Sequence, residues 1–316
     1  MFCAHCYRES GEKAKGELDT VQAKKLISEV AKAGFKIMIF SGGEPMTRED
    51  IYELIAYAKE QGLRPVLGSN GSLITKEAAE KLKAAGLAGA GISLDSLDKK
   101  KHDDLRRMEH AWDLAVEGMK NCINAGIRTQ IHTTVMDWNA EEIEDIMDFA
   151  VKIGASAHHI FFLVPTGRGE EIVDQALGRE EYEAILTRIM KKAATVPIEV
   201  KPTCAPQFMR VSEQMGQHLR FSKGCLAGIS YCIISPKGDV QPCAYMKMEI
   251  GNVKETPFDE IWRDNEIFKM LRTESYKDGC GSCGFKKKCG GCRARAAYYH
   301  NGDYMAEDPL CIMNKR

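Results

Sequence analysis

The sequence predicts an α/β protein. It reads as a partial (β/α)6 barrel of the TIM type over residues 1–201, followed by a small, loop-rich, cysteine-dense domain over 202–316. Three observations predict it. Short apolar runs alternate with stretches of helical period to about residue 201, the pattern of βαβ units around a parallel sheet. Glycines and small polar residues gather at the C-terminal ends of those runs, where barrels of this class carry their chemistry. Past residue 202 the alternation stops, and nine of the twelve cysteines lie there.

The elements follow in order. Residues 17–34 space Val21, Leu26, Ile27 and Val30 as a helix that ends at Gly34, and 35–41 (FKIMIFS) form a strand running into Gly42-Gly43-Glu44-Pro45. Thr47 is placed to cap a helix over about 48–61 that Gly62 ends. A strand at 64–69 turns at Asn70-Gly71, a helix near 76–85 ends at Gly86, and a strand at 89–94 runs into Asp95. A helix near 110–125 leads to a strand at 128–136, and a helix near 140–153 to an apolar strand at 157–164. The loop Pro165-Thr166-Gly167-Arg168-Gly169, a helix near 179–193 and a strand at 197–201 close the barrel. In the second domain Pro236-Lys237-Gly238-Asp239 signals a hairpin turn, 257–271 reads as one helix, and the chain from Cys280 is mostly loop.

Composition narrows the class of function. Of 316 residues, 44% are apolar and 28% charged, with a net charge of −1, so nothing favours nucleic acid or a membrane surface. No apolar run approaches the roughly 20 residues of a spanning helix, and the N-terminus has no signal-peptide pattern. Twelve cysteines in C-x-x-C clusters without an export signal read as thiolate ligands in a reducing, cytoplasmic compartment. A small loop-rich region that cannot build a core is suited to stapling by metal.

The cysteine spacing is the strongest signal. Cys280-x2-Cys283-x5-Cys289-x2-Cys292 is followed by Cys311 and preceded by Cys225-x12-Gly238-x4-Cys243. The competing reading is a pair of zinc sites, but those are local four-ligand knots. At the other end Cys3-x2-Cys6-Tyr7 offers only two thiolates. Cys122, within a predicted helix, reads as a buried apolar residue.

These motifs resemble radical S-adenosylmethionine (SAM) enzymes with a SPASM extension, over about residues 3–311. The resemblance implies one catalytic 4Fe–4S cluster, up to two auxiliary 4Fe–4S clusters, and SAM as cofactor. It places Cys3 and Cys6 as the last two ligands of the catalytic cluster. The family's first cysteine and the strand before it would then lie ahead of Met1, so the barrel is expected to lack its first strand and the N-terminus to be truncated. It places Cys225, Cys243 and Cys292 on one auxiliary cluster, with Cys232 preferred over Cys204 as fourth ligand, and Cys280, Cys283, Cys289 and Cys311 on the other. Two residues rather than three separate Cys289 from Cys292, which departs from the family pattern.

Gly42, Gly43 and Glu44 resemble the motif that holds the SAM amino group, Ser69, Asn70 and Ser93 the strand ends that meet its methionyl group and ribose, and Arg106 a contact to its carboxylate. Ser69, Asn70, Ser93 and Arg106 are each equally readable as ordinary turn or surface residues, whereas Gly42-Gly43-Glu44 is specific in following the C-x-x-C-Tyr run.

The stretches Phe161–Gly169, Thr203-Cys204-Ala205-Pro206 and Cys289–Cys311 resemble the subgroup acting on tetrapyrroles in siroheme-dependent haem and haem d1 biosynthesis. That implies removal of acetate side chains or decarboxylation of propionates on an iron porphyrinoid. Arg168, Arg293 and Arg295 are candidates for binding substrate carboxylates, against pairing with Glu170, Glu171 or Asp308. His158 and His159 read as barrel-wall residues or as a site acid or iron ligand. Lys286-Lys287-Lys288 is a solvated run or a dock for a ferredoxin- or flavodoxin-like electron donor. A peptide maturase within the same family and a non-catalytic iron–sulfur protein are the competing functions.

Overall fold

The computed structural model describes residues 1–8 and 10–314. Its centre is a parallel sheet of six strands in sequential order: β1 (Ile37–Phe40), β2 (Arg64–Ser69), β3 (Gly89–Ser93), β4 (Arg128–Val135), β5 (Ala157–Phe162) and β6 (Glu199–Thr203). Helices α1 (Thr20–Lys32), α2 (Ile51–Glu60), α3 (Lys76–Ala84), α4 (Lys99–Arg106), α5 (Ala111–Asn124), α6 (Ile143–Ile153) and α7 (Arg179–Ala193) cover its outer face. A sequential parallel order with every crossover on one side curls a sheet toward a barrel. The curl stays open, with β1 and β6 as its edges, so the fold is the partial barrel that the alternation predicts.

The face each residue takes follows the period of two. On β4, Thr129, Ile131, Thr133 and Val135 are buried under the helices, while Gln130, His132 and Thr134 are partly exposed on the inner wall. At the open edge Ile37 and Ile39 are about half exposed, at 52% and 53%.

Local chemistry sets the helix ends. Asp19 caps α1 in a capping box with Gln22, and Thr75 caps α3 through Ala78 N. Thr47 does not cap α2. Pro45–Thr47 makes a 3-10 turn, the Thr47 hydroxyl donates to Glu44 O, and α2 starts at Ile51. Asp50 precedes it, but its carboxylate is taken by Arg48 and Thr20.

After β6 the chain continues into α8 (Phe208–Gln214). The expected hairpin pairs β7 (Ile233–Ile234) with β8 (Val240–Gln241), and its Gly238 has φ 99°. The helix expected at 257–271 is two, α9 (Phe258–Asp264) and α10 (Glu266–Thr273). Asn265 breaks it: its extended backbone ends α9 while its side chain accepts from Ile267 N to cap α10. Short helices α11 (Asp278–Ser282) and α12 (Arg293–Tyr299) punctuate the cysteine loops.

The domain packs back on the barrel. Phe35 meets Phe258 and Trp262, the Glu29 carboxylate accepts from Phe258 N, and Leu18 N donates to Pro236 O.

Candidate cofactor site and cysteine clusters

The loop carrying Cys3 and Cys6 lies across the C-terminal ends of the strands. Ala4 N donates to Leu105 O, and Arg168 ties the loop from the other side through its own N to Cys6 O, Nε to Cys3 O and Nη1 to Ser10 O. Gly167 makes this approach possible. Its φ is 62°, and a Cβ there would sit 2.6 Å from Cys6 O and 2.7 Å from the Tyr7 backbone. Gly167→Ala is therefore expected to lift the loop, because it adds a backbone clash to a left-handed penalty of about 1–2 kcal/mol. The measurement is alkylation of Cys3 and Cys6 in iron-free protein, which should speed up about tenfold.

Around this loop the charges are tightly organised. Asp95, wholly buried after β3, accepts from Arg106 Nε at 2.8 Å and Nη2 at 2.5 Å and from Thr134 N at 3.0 Å. Burial pushes its carboxyl up, but Arg106 and its other partners outweigh this and hold it at about 2. Arg106 Nη1 reaches Cys3 Sγ at 3.9 Å. His5, between the two cysteines, is lowered to about 4 by burial and by Arg106, and its Nδ1 is buried with no hydrogen-bond partner. Arg168 Nη2 is in the same condition. A cysteine pair flanked by two orphaned polar atoms, one of them on Arg168, fits a sulfur-bridged anionic group with a carboxylate-bearing ligand.

The strand ends converge on Glu44. Its Oε1 accepts from Met46 N (3.1 Å) and Ser69 Oγ (2.8 Å), and its Oε2 from Asn70 N (2.8 Å). An ionised carboxylate has about four lone-pair positions, so one, on Oε2, remains for a further donor. Burial raises its pKa against those three hydrogen bonds. Gly42, with φ 131°, and Gly43 bring the backbone past Ser10, whose hydroxyl is 3.5 Å from Gly42 O. Ser69 also accepts from Gly71 N, and the Asn70 side chain accepts from Ser72 N, so both hold the turn. Ser93 ends β3, partly exposed. Thus Gly42, Gly43, Glu44, Ser69 and Asn70 form one cluster, while Arg106 is committed to Asp95.

In the second domain the cysteines form two groups and leave others out. Cys225, Cys243 and Cys292 lie within electrostatic reach of one another, and Cys204 is hydrogen-bonded to Cys292. That bond, with burial, raises Cys204 well above the ordinary thiol range; the same bond lowers Cys292 to about 7. Cys280, Cys289 and Cys311 form the second group, with Cys283 one turn away.

Backbone N–H groups point at the sulfurs: Phe285 N to Cys283 (3.4 Å), Gly291 N to Cys289 (3.5 Å), Asp308 N to Cys280 (3.4 Å), and in the N-terminal loop Ser10 N to Cys6 (3.4 Å). Such donors stabilise thiolates bound to iron and tune their potential. Among the described residues no three Cys, His, Asp or Glu converge tightly enough for a single metal ion. A cubane spreads its thiolates wider, so the donor sets fit 4Fe–4S groups better than mononuclear zinc. Cys122 is buried in the core. Cys232 packs against the main core, with Arg272 as its charged neighbour and no cysteine beside it.

The arginines correct the sequence reading. Arg293 and Arg295 are each only 1% exposed. Arg293 donates to the Tyr304, Ala306 and Gly291 carbonyls and to Cys280 Sγ. Arg295 makes two 2.7 Å bonds to Asp308 and one to Cys204 O. Their donors are spent inside the domain, so neither is available to a substrate carboxylate. For Arg295 the pairing with Asp308 is the alternative that prevails.

Sequence reasoning did not find Asp308 as the hub, though a lone buried acid after two arginines was its signal. Nor did it find His132, which stacks on His159 at 5.4 Å between centroids and 5° between planes. A Cβ on Gly91 would meet the His132 ring at 2.1 Å, so that glycine makes room for it. Burial lowers His132 to about 3 and His159 to about 4, so both are neutral. His158 faces the helices, bonded to Thr133 Oγ1, and is a core residue.

A sequence profile of the Radical SAM superfamily matches residues 1–150, and one of an iron–sulfur cluster-binding domain, SPASM, matches residues 225–292. An AdoMet-dependent heme synthase of Nitratidesulfovibrio vulgaris is 43% identical over 100% of this chain and 90% of its own length. The chain belongs to the radical SAM superfamily. Another AdoMet-dependent heme synthase, from Methanosarcina barkeri, is 41% identical over 99% of this chain and 93% of its own length, and an Fe-coproporphyrin III synthase of the same organism is 32% identical over 100% and 85%. Among solved structures, Streptococcus suis SuiB bound to S-adenosylmethionine superposes with a TM-score of 0.75 at 18% identity, covering 98% of this chain and 74% of SuiB, a likeness of fold. As a radical SAM protein with a SPASM domain, the chain uses SAM and 4Fe–4S clusters. Among the described residues no helix is long and apolar enough to cross a membrane.

Proposed function

We propose that this radical SAM enzyme oxidatively decarboxylates propionate side chains of an iron tetrapyrrole, completing haem in the cytoplasm. The observation that carries the reading is the 40–43% identity to three AdoMet-dependent heme synthases over all or nearly all of the chain, against 32% to the Fe-coproporphyrin III synthase and 27% to a pre-heme d1 synthase. Mycofactocin maturases reach 29–30%, which leaves peptide maturation as the weaker reading.

Cys3 and Cys6 supply thiolates to the catalytic cluster, with Arg106 and the buried His5 beside them. The free lone pair of Glu44 receives the SAM ammonium, and Gly42, Gly43, Ser69, Asn70 and Ser93 shape the pocket for the rest of SAM. When bound, SAM and a reduced 4Fe–4S cluster would supply radical hydrogen abstraction at the substrate side chain, and the electron left when carbon dioxide departs would pass to an auxiliary cluster. The chain's part is to orient SAM and substrate and to keep water out. Arg168, with Nη2 unpartnered, is the remaining one of the three candidate arginines for a substrate carboxylate. His132, His159 and Phe161 give the inner wall an uncharged aromatic surface for a macrocycle.

Cys280, Cys283, Cys289 and Cys311 hold one auxiliary cluster; Cys225, Cys243 and Cys292 hold the other. Beside the first, Lys287 and Lys288 are exposed, Lys288 pairing with Glu213, and offer an acidic ferredoxin- or flavodoxin-like donor a landing place.

The test is anaerobic incubation of protein made from its whole natural reading frame with iron-coproporphyrin III, SAM and a low-potential reductant. The reading predicts 5′-deoxyadenosine and a porphyrin that has lost carbon dioxide. No 5′-deoxyadenosine above the substrate-free background, with clusters intact, would reject it.

A further inference from the structure

The described cysteines divide by what surrounds their sulfur. At the two proposed auxiliary sites backbone N–H groups point at Cys280, Cys283 and Cys289, as above, and Cys243 and Cys292 pack in one cluster. Cys122 is buried in the main core and Cys232 packs against it, beside Arg272.

Cys204 lies with the cysteines of the first proposed site. It sits just past the C-terminal end of β6, where a parallel sheet of this kind presents its functional groups. Its sulfur is hydrogen-bonded to Cys292, and it packs in one cluster with Cys243 and Cys292. Its backbone is left-handed, φ 58°, a conformation that a non-glycine residue holds only when its surroundings impose it. What imposes it is visible. Arg295 Nη1 donates to Cys204 O at 3.0 Å, and the same guanidinium is gripped by Asp308, whose Oδ2 accepts from Cys292 N at 2.7 Å. One buried ion pair thus fixes Cys204 through its carbonyl and Cys292 through its amide.

We propose that Cys204 is the fourth ligand of the auxiliary cluster held by Cys225, Cys243 and Cys292, and that Cys232 is not a ligand. This rests on the reading that those three cysteines hold a cluster. It gives that cluster one ligand from the segment just past β6 and three from residues 225–292, so the cluster ties the sheet's edge to the cysteine-dense region. A four-thiolate set also closes the cluster, leaving no iron of it open to substrate.

The test uses the full chain, reconstituted anaerobically, as wild type, Cys204→Ala, Cys204→Ser, Cys232→Ala and Cys225→Ala. Iron and sulfide are counted, Mössbauer and EPR spectra recorded, and folding followed by circular dichroism. Cys204→Ala is expected to lose up to about four irons, or to show a three-iron EPR signal, while the other clusters persist. Cys204→Ser is expected to keep the iron with shifted signals, and Cys232→Ala to match the wild type. A Cys204→Ala protein with full iron and unchanged spectra, or loss confined to Cys232→Ala, would overturn the proposal. If the wild type shows no cluster that Cys225→Ala removes, the underlying cluster reading fails instead, a result distinct from either. Should Cys204→Ala fold poorly, the Cys204→Ser signature decides: unchanged spectra overturn the proposal, and altered spectra of one cluster support it.

Discussion

Asp308→Asn should cost the protein about 3–5 kcal/mol of stability, the range for removing one partner of a buried ion pair. Asp308 is 0% exposed and Arg295 1%. The carboxylate accepts from Arg295 Nε and Nη2, Cys292 N, Gln207 Nε2 and Leu310 N, while its own N–H points at Cys280 Sγ. Asparagine keeps the shape but strips the charge, and it leaves Arg295 buried without a counter-ion. Since whole domains are stable by only about 5–15 kcal/mol, the C-terminal domain should open and release iron from both auxiliary sites. The readouts are urea unfolding and iron content. A second substitution, Arg295→Met, should restore part of the stability by removing the orphaned charge.

The pH dependence follows the same pair. Burial opposes ionisation of Asp308, yet Arg295 and the hydrogen bonds hold its folded pKa at about 2, below the unfolded value near 3.9. A depressed carboxyl contributes stability that is complete above the unfolded value and is lost as pH falls toward the folded one. The wild type should therefore lose this contribution between about pH 4 and pH 2. Asp308→Asn should be less stable than the wild type at neutral pH and lack that acid-sensitive step. A loss below about 1 kcal/mol at neutral pH would mean that the hub is not structural.

Glu44→Gln is expected to weaken SAM binding at least about tenfold, equivalent to about 1.4 kcal/mol. Three of the four lone-pair positions of Glu44 are filled by Met46 N, Ser69 Oγ and Asn70 N, and the last is what an ammonium would find. Glutamine replaces one acceptor oxygen by an NH2 group. Either orientation then sets a donor against a donor, at about 1–3 kcal/mol for the unsatisfied group. The measurement is equilibrium binding of SAM to cluster-loaded protein, with Tm as control. An unchanged Kd would remove Glu44 from the SAM site and leave it a brace between β2 and the turn before α2.

Much of this architecture is written locally, and what is not has a physical reason. The apolar runs of β2, β3 and β4 and the caps Asp19 and Thr75 act within a few residues, so sequence alone placed those elements. Helix α4 escaped because Lys99–Asp104 is almost wholly charged. Its order comes from the Asp98 cap and from burying His102, Leu105 and Arg106, contacts no short-range period reveals. The single helix expected at 257–271 missed Asn265, which ends one helix and caps the next.

At the site, Gly42–Glu44 and the cysteine spacings were legible because backbone approach and ligand type constrain residue identity directly. The sequence left the arginines open between substrate carboxylates and acidic partners, because for Arg295 the choice depends on a chain reversal: Asp308 returns 13 residues after Arg295 to meet it in the interior. The sequence left Cys232 and Cys204 as alternatives for a fourth ligand, with Cys232 preferred; the fold packs Cys232 against the main core and Cys204 with Cys243 and Cys292.

The central claim is that this chain directs a SAM-derived radical at a propionate side chain of an iron tetrapyrrole. Its most direct test is turnover with iron-coproporphyrin III deuterated along its propionates, followed by mass spectrometry of the 5′-deoxyadenosine. The account predicts one deuterium per 5′-deoxyadenosine formed, with release of carbon dioxide. Unlabelled 5′-deoxyadenosine, or none above background from protein with its clusters intact, would contradict it.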